Sequence, residues 1–128
     1  MKERGWGRIV NISSSAGRFR WSYVGASSIA YSAAKAGVLG MTRQMAYELA
    51  GTGILVNAVI PGNIMTEEGK KDIEALPTEV RKRILHETML HRFGLPEEVA
   101  GVVAFLASER ASYICGASLI VNGGWCVA

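Results

Sequence analysis

Tyr31 and Lys35 stand four residues apart, and on a helix that spacing puts both side chains on one face, about one turn from each other. An ammonium beside a phenol favours the phenolate. The expected consequence is a tyrosine whose pKa falls from about 10 toward neutrality, able to protonate a carbonyl oxygen or to take a proton from an alcohol. On spacing alone the same two residues also fit an ordinary exposed pair on a helix surface. Ser14 adds weight, because it lies seventeen positions before Tyr31, just beyond a β-branched run. Open α/β sheets gather ligands and catalytic groups at the carboxyl ends of their strands.

Other patterns carry less chemistry. Ser32 and Lys35 fit a Ser-x-x-Lys nucleophile motif, yet neither Ser-Asp-Asn nor Lys-Thr-Gly occurs in the sequence. His86-Glu87 and His91 miss the zinc-protease spacing by one residue, which turns the two imidazoles about 140° apart on a helix. They read as lone surface histidines. Asn11-Ile12-Ser13 matches a glycosylation acceptor but falls in an expected strand. Cys115 and Cys126 lack a Cys-x-x-Cys or companion histidines, so they read as buried or half-buried free thiols, and no metal site is expected.

The elements that must position these residues follow from period and punctuation. Residues 8–12 form an expected strand that opens into Ser13-Ser14-Ser15-Ala16-Gly17 and a loop to about 28. A helix is expected from 29 to about 50, with Val38, Met41, Met45 and Leu49 as its apolar stripe. Its first half is small-sided (Ala30, Ala33, Ala34, Ala36, Gly37, Gly40), which suits close packing against a neighbouring helix or sheet. Residues 54–60 are nearly all apolar, as in a strand covered on both faces, and Pro61-Gly62 ends them. Residues 63–77 show no period and read as a mobile excursion, after which Thr78 offers an N-cap for a helix to about 90. Pro96-Glu97-Glu98 opens another helix, with Val99, Val102, Val103 and Leu106 as its buried face. Residues 117–121 form a last strand, closed by Asn122-Gly123-Gly124. This order describes two crossover units of a doubly wound parallel sheet. Such a sheet normally has about six strands, so three amount to half of one.

A length of 128 residues, 49% hydrophobic and 20% charged, fits one folded domain and excludes a disordered tail. The net charge of +3 comes from scattered basic residues, too dilute for a nucleic-acid stripe. No apolar run approaches the roughly 20 residues of a bilayer span, and Lys2-Glu3-Arg4 offers no secretory signal. A cytoplasmic protein is expected, with no nucleic-acid or membrane partner.

Several motifs now stand in order: Asn11-Ile12-Ser13-Ser14, Tyr31-Ser32-Ala33-Ala34-Lys35, Val56-Asn57-Ala58-Val59-Ile60-Pro61-Gly62, Gly94-Leu95-Pro96-Glu97-Glu98-Val99-Ala100 and Asn122-Gly123-Gly124. Together they closely resemble the short-chain dehydrogenase/reductase family, from about Gly7 onward. Within it the chain looks most like the NAD(P)-dependent ketoreductases of the 3-oxoacyl-carrier-protein reductase type. The resemblance implies that Tyr31 exchanges a proton with the substrate oxygen, that Ser14 hydrogen-bonds that oxygen, and that Lys35 holds the nicotinamide ribose and lowers the tyrosine pKa. It implies further that Pro61, Gly62, Ile64 and Thr66 receive the nicotinamide carboxamide of NADP or NAD, beside Tyr31 and Lys35. A lid at about 63–91 would close over a small carbonyl or alcohol substrate.

The sequence also departs from the family. Gly5-Trp6-Gly7 and Gly51-Thr52-Gly53 lack the third glycine of a pyrophosphate-binding turn. The family's Asn-Asn-Ala-Gly segment and the asparagine of its catalytic tetrad have no counterpart either. The gap between Ser14 and Tyr31 is longer than is common, which offers the loop 18–28, with Phe19, Trp21 and Tyr23, as a substrate wall. Asn122 replaces the usual aspartate, a change expected to affect packing. The expectation is therefore a single partial NAD(P)-binding Rossmann-like domain over 1–128, the carboxyl-terminal half of a doubly wound parallel sheet and inactive alone. It would act as a homo-oligomer or with an amino-terminal half. The alternative is a non-catalytic module that joins full-length family members through the helix 29–50 and the strand region 117–121.

Overall fold

A computed structural model describes residues 1–19 and 29–125. Three strands run parallel in the order β1 (Gly7–Ile12), β2 (Ile54–Pro61) and β3 (Ser118–Val121). Parallel neighbours need long crossovers, and helices supply them. α1 (Ile29–Glu48) lies between β1 and β2 in the chain, while α2 (Glu67–Ala75), α3 (Thr78–Glu87) and α4 (Pro96–Leu106) lie between β2 and β3. Gly7 pairs with Ile54 and Ile12 with Val59; Ala58 pairs with Ser118 and Pro61 with Val121. The expected half of a doubly wound sheet is what the chain forms.

The sequence of β2 explains its central place. Val56, Ala58, Val59 and Ile60 are all fully buried. Alternation sends Ala58 and Ile60 to Leu39 of α1, and Val59 to Leu106 of α4 with Val10, Val102 and Leu119 around them. Asn57 interrupts this apolar run, but both ends of its amide are engaged. Its Nδ2 donates to Ile114 O at 2.8 Å, and its Oδ1 accepts from Ala117 N–H at 3.0 Å. A fully satisfied buried amide thus holds the approach to β3 against β2.

Several expectations require correction. In α1 the buried residues are Leu39 and Thr42, whereas Met41 of the expected stripe is 47% exposed. Apolar and small residues surround this helix on most sides, so period did not select the row. The buried threonine is tolerated because Asn11 Nδ2 donates to its hydroxyl at 3.0 Å and that hydroxyl donates to Val38 O at 2.7 Å. The small first half of α1 is not closely packed at Gly37, where a Cβ would meet no heavy atom within 4 Å. The close approach comes from Gly17 instead: a Cβ there would stand 2.5 Å from the carbonyl carbon of Lys35.

The span 63–77 is not an irregular excursion, because it contains α2. Thr66 caps that helix by accepting Gly69 N–H at 2.9 Å. With only Ile73 and Ala75 as apolar side chains, α2 has no stripe to announce it. Pro77 takes the N-cap of α3 with extended backbone, so Thr78 enters the first turn, and the helix stops at Glu87 rather than about 90. Thr88 returns to extended backbone there, its hydroxyl donating to Ile84 O at 2.8 Å. Cys115 is exposed rather than buried, in the turn that precedes Gly116; Cys126 lies outside the described residues.

Under α3 lies Trp125, fully buried against Ile84, with Phe19, Leu76, Val80 and Phe93 packed around the pair. This cluster holds α3 to the turn that follows β3. Among the described residues no helix is long and apolar enough to cross a membrane.

Candidate active site

β1 runs into three consecutive serines, each of which engages a different element. Ser13 is buried and donates to Lys35 O at 2.7 Å. Ser14 is half-buried, with extended backbone, and its Oγ accepts Ala16 N–H at 3.2 Å, capping the 3₁₀ turn Ser15–Gly17. Ser15 is buried and donates to Pro61 O at 3.0 Å, at the end of β2. The serine turn is thereby tied both to α1 and to β2.

Lys35 reaches back to the same point. Its Nζ donates to Ile12 O at 3.1 Å and lies 5.7 Å from the centroid of the Tyr31 ring, which is 42% exposed. Ser14, Tyr31, Lys35 and Pro61 therefore converge at the carboxyl ends of β1 and β2. Gly62, Ile64 and Thr66 follow along the chain and are tied elsewhere. Gly62 N–H donates to Val121 O at 3.0 Å, and a Cβ on it would stand 2.6 Å from Asn122 Cβ, so only glycine lets these strand ends meet. Ile64 pairs with Gly94 in an isolated parallel bridge, and Thr66 caps α2. Asn122 closes the terminal turn by accepting Gly124 N–H at 3.0 Å and donating to Trp125 O.

These residues suit the nicotinamide-ribose end of a dinucleotide. An ammonium carries three donors and Ile12 O takes one, which leaves two to meet ribose hydroxyls. The Thr66 hydroxyl accepts from Gly69 N–H and keeps its own proton to donate. Among the described residues no group of three His, Cys, Asp or Glu side chains could hold a metal ion.

A cleft of about 330 Å³ lies beyond Ile64, lined also by Asn63, Leu90, Arg92, Glu98 and Asn122. It contains none of Ser14, Tyr31 or Lys35, and the chemistry of the serine–tyrosine–lysine cluster is the better guide to the site. Along its wall Arg92 makes two hydrogen bonds to the Glu98 carboxylate, one of them 2.8 Å. That guanidinium, followed by Leu95 N–H at 2.8 Å, holds the Glu98 pKa down at about 2. A depressed carboxylate contributes stability above its unfolded pKa and loses it as pH falls through its folded one. Glu98→Gln is therefore expected to lower Tm slightly near neutral pH, the pair being exposed. The difference should close between the ordinary carboxylate range and pH of about 2; a pH-independent difference would refute the assignment.

Sequence reasoning missed Ser13, Ser15, Asn11, Thr42 and Trp125 as structural partners of the site. Only the serine run was a visible signal, and polar residues alternating out of β1 could have marked Asn11 and Ser13 as facing one element. Phe19, expected in a substrate wall, is partly buried and packs beside Ile84 and Trp125 under α3. Trp21 and Tyr23 lie outside the described residues.

Residues 1–126 match the family model described as Enoyl-(Acyl carrier protein) reductase. A 3-oxoacyl-[acyl-carrier-protein] reductase FabG of Aquifex aeolicus is 47% identical over 125 residues, covering 97% of this chain and 46% of its own length. An acetoacetyl-CoA reductase of Rhizobium meliloti is also 47% identical, covering 97% and 48%. A solved structure from Agrobacterium tumefaciens, assigned as a 2-deoxy-d-gluconate 3-dehydrogenase with bound NADP, superposes with a TM-score of 0.85 at 38% identity. It covers 99% of this chain and 50% of its own. The chain spans about half the length of the curated relatives it matches.

Proposed function

The chain belongs to the short-chain dehydrogenase/reductase family, and from that premise we propose that it carries the proton-transferring, nicotinamide-facing part of an NAD(P)-dependent oxidoreductase for a carbonyl/alcohol pair. The observation that supports this reading is the meeting of Tyr31, Lys35 and the Ser14 turn at the ends of β1 and β2. Tyr31 moves the proton at the substrate oxygen. Ser14 already accepts Ala16 N–H, so its own O–H is left to donate to that oxygen as charge develops there. Lys35 holds the ribose hydroxyls, and the Pro61–Gly62 backbone with Ile64 and Thr66 receives the carboxamide. The nicotinamide, when bound, supplies the hydride. α2 and α3 form the lid that excludes water from the reacting atoms.

The relatives' names favour a 3-oxoacyl thioester as the substrate to test first, and the NADP in a structural neighbour favours NADP over NAD. Calorimetric titration of the 128-residue chain with NADPH and NADH, with Tm followed in parallel, tests cofactor capture. Micromolar binding that Lys35→Met weakens at least about tenfold supports the ribose role. Binding unaffected by Lys35→Met would refute it.

A second reading has its own observation. On α1, Ile29 is 92% and Tyr47 79% exposed, and eighteen residues, five full turns, put them in line on one face with exposed Ala33 and Ala36 between them. A non-catalytic module using that face would form mixed oligomers with full-length family members, and it would turn over no substrate even with cofactor added.

A further inference from the structure

Apolar contact between α1 and the sheet is non-directional, and Leu39 against Ala58 and Ile60 does not by itself fix where the helix stops along β1. Directional bonds do. Asn11 and Ser13, two positions apart and therefore on one face of the strand, reach Thr42 Oγ1 at 3.0 Å and Lys35 O at 2.7 Å. Those two acceptors are seven residues apart, about two turns on one face of α1. The strand climbs as the helix descends, so the two bonds act as stops along the helix axis. Between them Ile12 O accepts from Lys35 Nζ, and the Gly17 backbone abuts Lys35.

We propose that Asn11 and Ser13 are positioning residues for the Tyr31–Lys35 pair, setting the height of both side chains relative to Ser14. The inference rests on the reading of Tyr31 and Lys35 given above. Neither residue touches the reacting atoms. Ser13 acts through the Lys35 main chain and Asn11 through Thr42, and Ser15 secures the other side of the same turn on Pro61. Lys35 O keeps its intrahelical partner when the serine hydroxyl is removed, so a folded Ser13→Ala chain is expected.

The test is NMR cross-relaxation between the Lys35 Hε protons and the backbone protons of Ile12 and residue 13, the strand end next to Ser14 that Lys35 Nζ meets at 3.1 Å, in the 128-residue chain. Ser13→Ala is expected to abolish it while the signals of Asn57 and its partners stay in place, and Ser13→Thr, which restores a hydroxyl, is expected to recover it. In this chain complemented by the remainder of its relatives' length, Ser13→Ala should lower kcat about tenfold or more with KM little changed. A native signal between Lys35 and the strand end in Ser13→Ala overturns the proposal. Should that variant fail to fold, Asn11→Ala removes the other bond while the Thr42 hydroxyl keeps its own to Val38 O, and a native signal there overturns it equally. Tyr31→Phe leaves the contact of Lys35 with the strand end in place whether or not turnover is lost, so the positioning role and the proton-transfer role fail separately.

Discussion

Tyr31→Phe is expected to reduce turnover by about 10²- to 10⁴-fold in this chain complemented by the remainder of its relatives' length. The substitution removes one oxygen. It leaves the aromatic ring over which Lys35 Nζ sits at 5.7 Å, and Tyr31 is already partly exposed, so neither α1 nor the lysine has reason to move. What disappears is the group proposed to exchange a proton with the substrate oxygen. Cofactor affinity should stay near the parent's, because the ribose contacts are assigned to Lys35. Steady-state kinetics with NADPH and a 3-oxoacyl thioester, alongside cofactor titration, read both quantities. Turnover within a few-fold of the parent would sink the acid/base assignment.

The second large effect concerns stability. Trp125→Ala should cost about 3–5 kcal/mol, the usual range for emptying a fully buried large aromatic site. Trp125 is 0% exposed, and it packs with Ile84 at the centre of the cluster that includes Phe19, Leu76, Val80 and Phe93. Its indole N–H also reaches Glu87 Oε2 at 3.4 Å. Removing it empties the space beneath α3, and the penalty is a large part of the roughly 5–15 kcal/mol that holds a domain of ordinary stability together. Chemical denaturation should show a lowered midpoint, and amide hydrogen exchange should show the largest loss of protection in α3. An unchanged midpoint would mean that the cluster does not anchor this region.

Both predictions start from residues whose types were readable, but they depend to different degrees on the fold. Tyr31, Lys35 and Ser14 were identifiable from spacing and from motifs in order, because a four-residue step on a helix and a serine after a β-branched run are local geometry. Trp125 could not be assigned that way. It lies far along the chain from Ile84 and Phe19, and no periodicity links a terminal turn to α3. α2 was equally hidden: its cap, Thr66, was visible, but a surface helix with only Ile73 and Ala75 as apolar residues has no stripe.

The three parallel strands with helical crossovers, the burial of β2 on both faces and the start of α4 at Pro96 were determined by the sequence alone. Each follows from local pattern: an apolar run, a proline at the first helical position, a glycine at a strand end. Tertiary structure decided which row of α1 faces the sheet, because that helix is apolar or small on most sides and only the bonds from Asn11 and Ser13 distinguish one row from another. It also decided that Phe19 packs against Trp125, and that Cys115 is exposed. These outcomes depend on groups distant in sequence meeting in space, where directional hydrogen bonds and shared burial select among arrangements that local propensity leaves nearly equal.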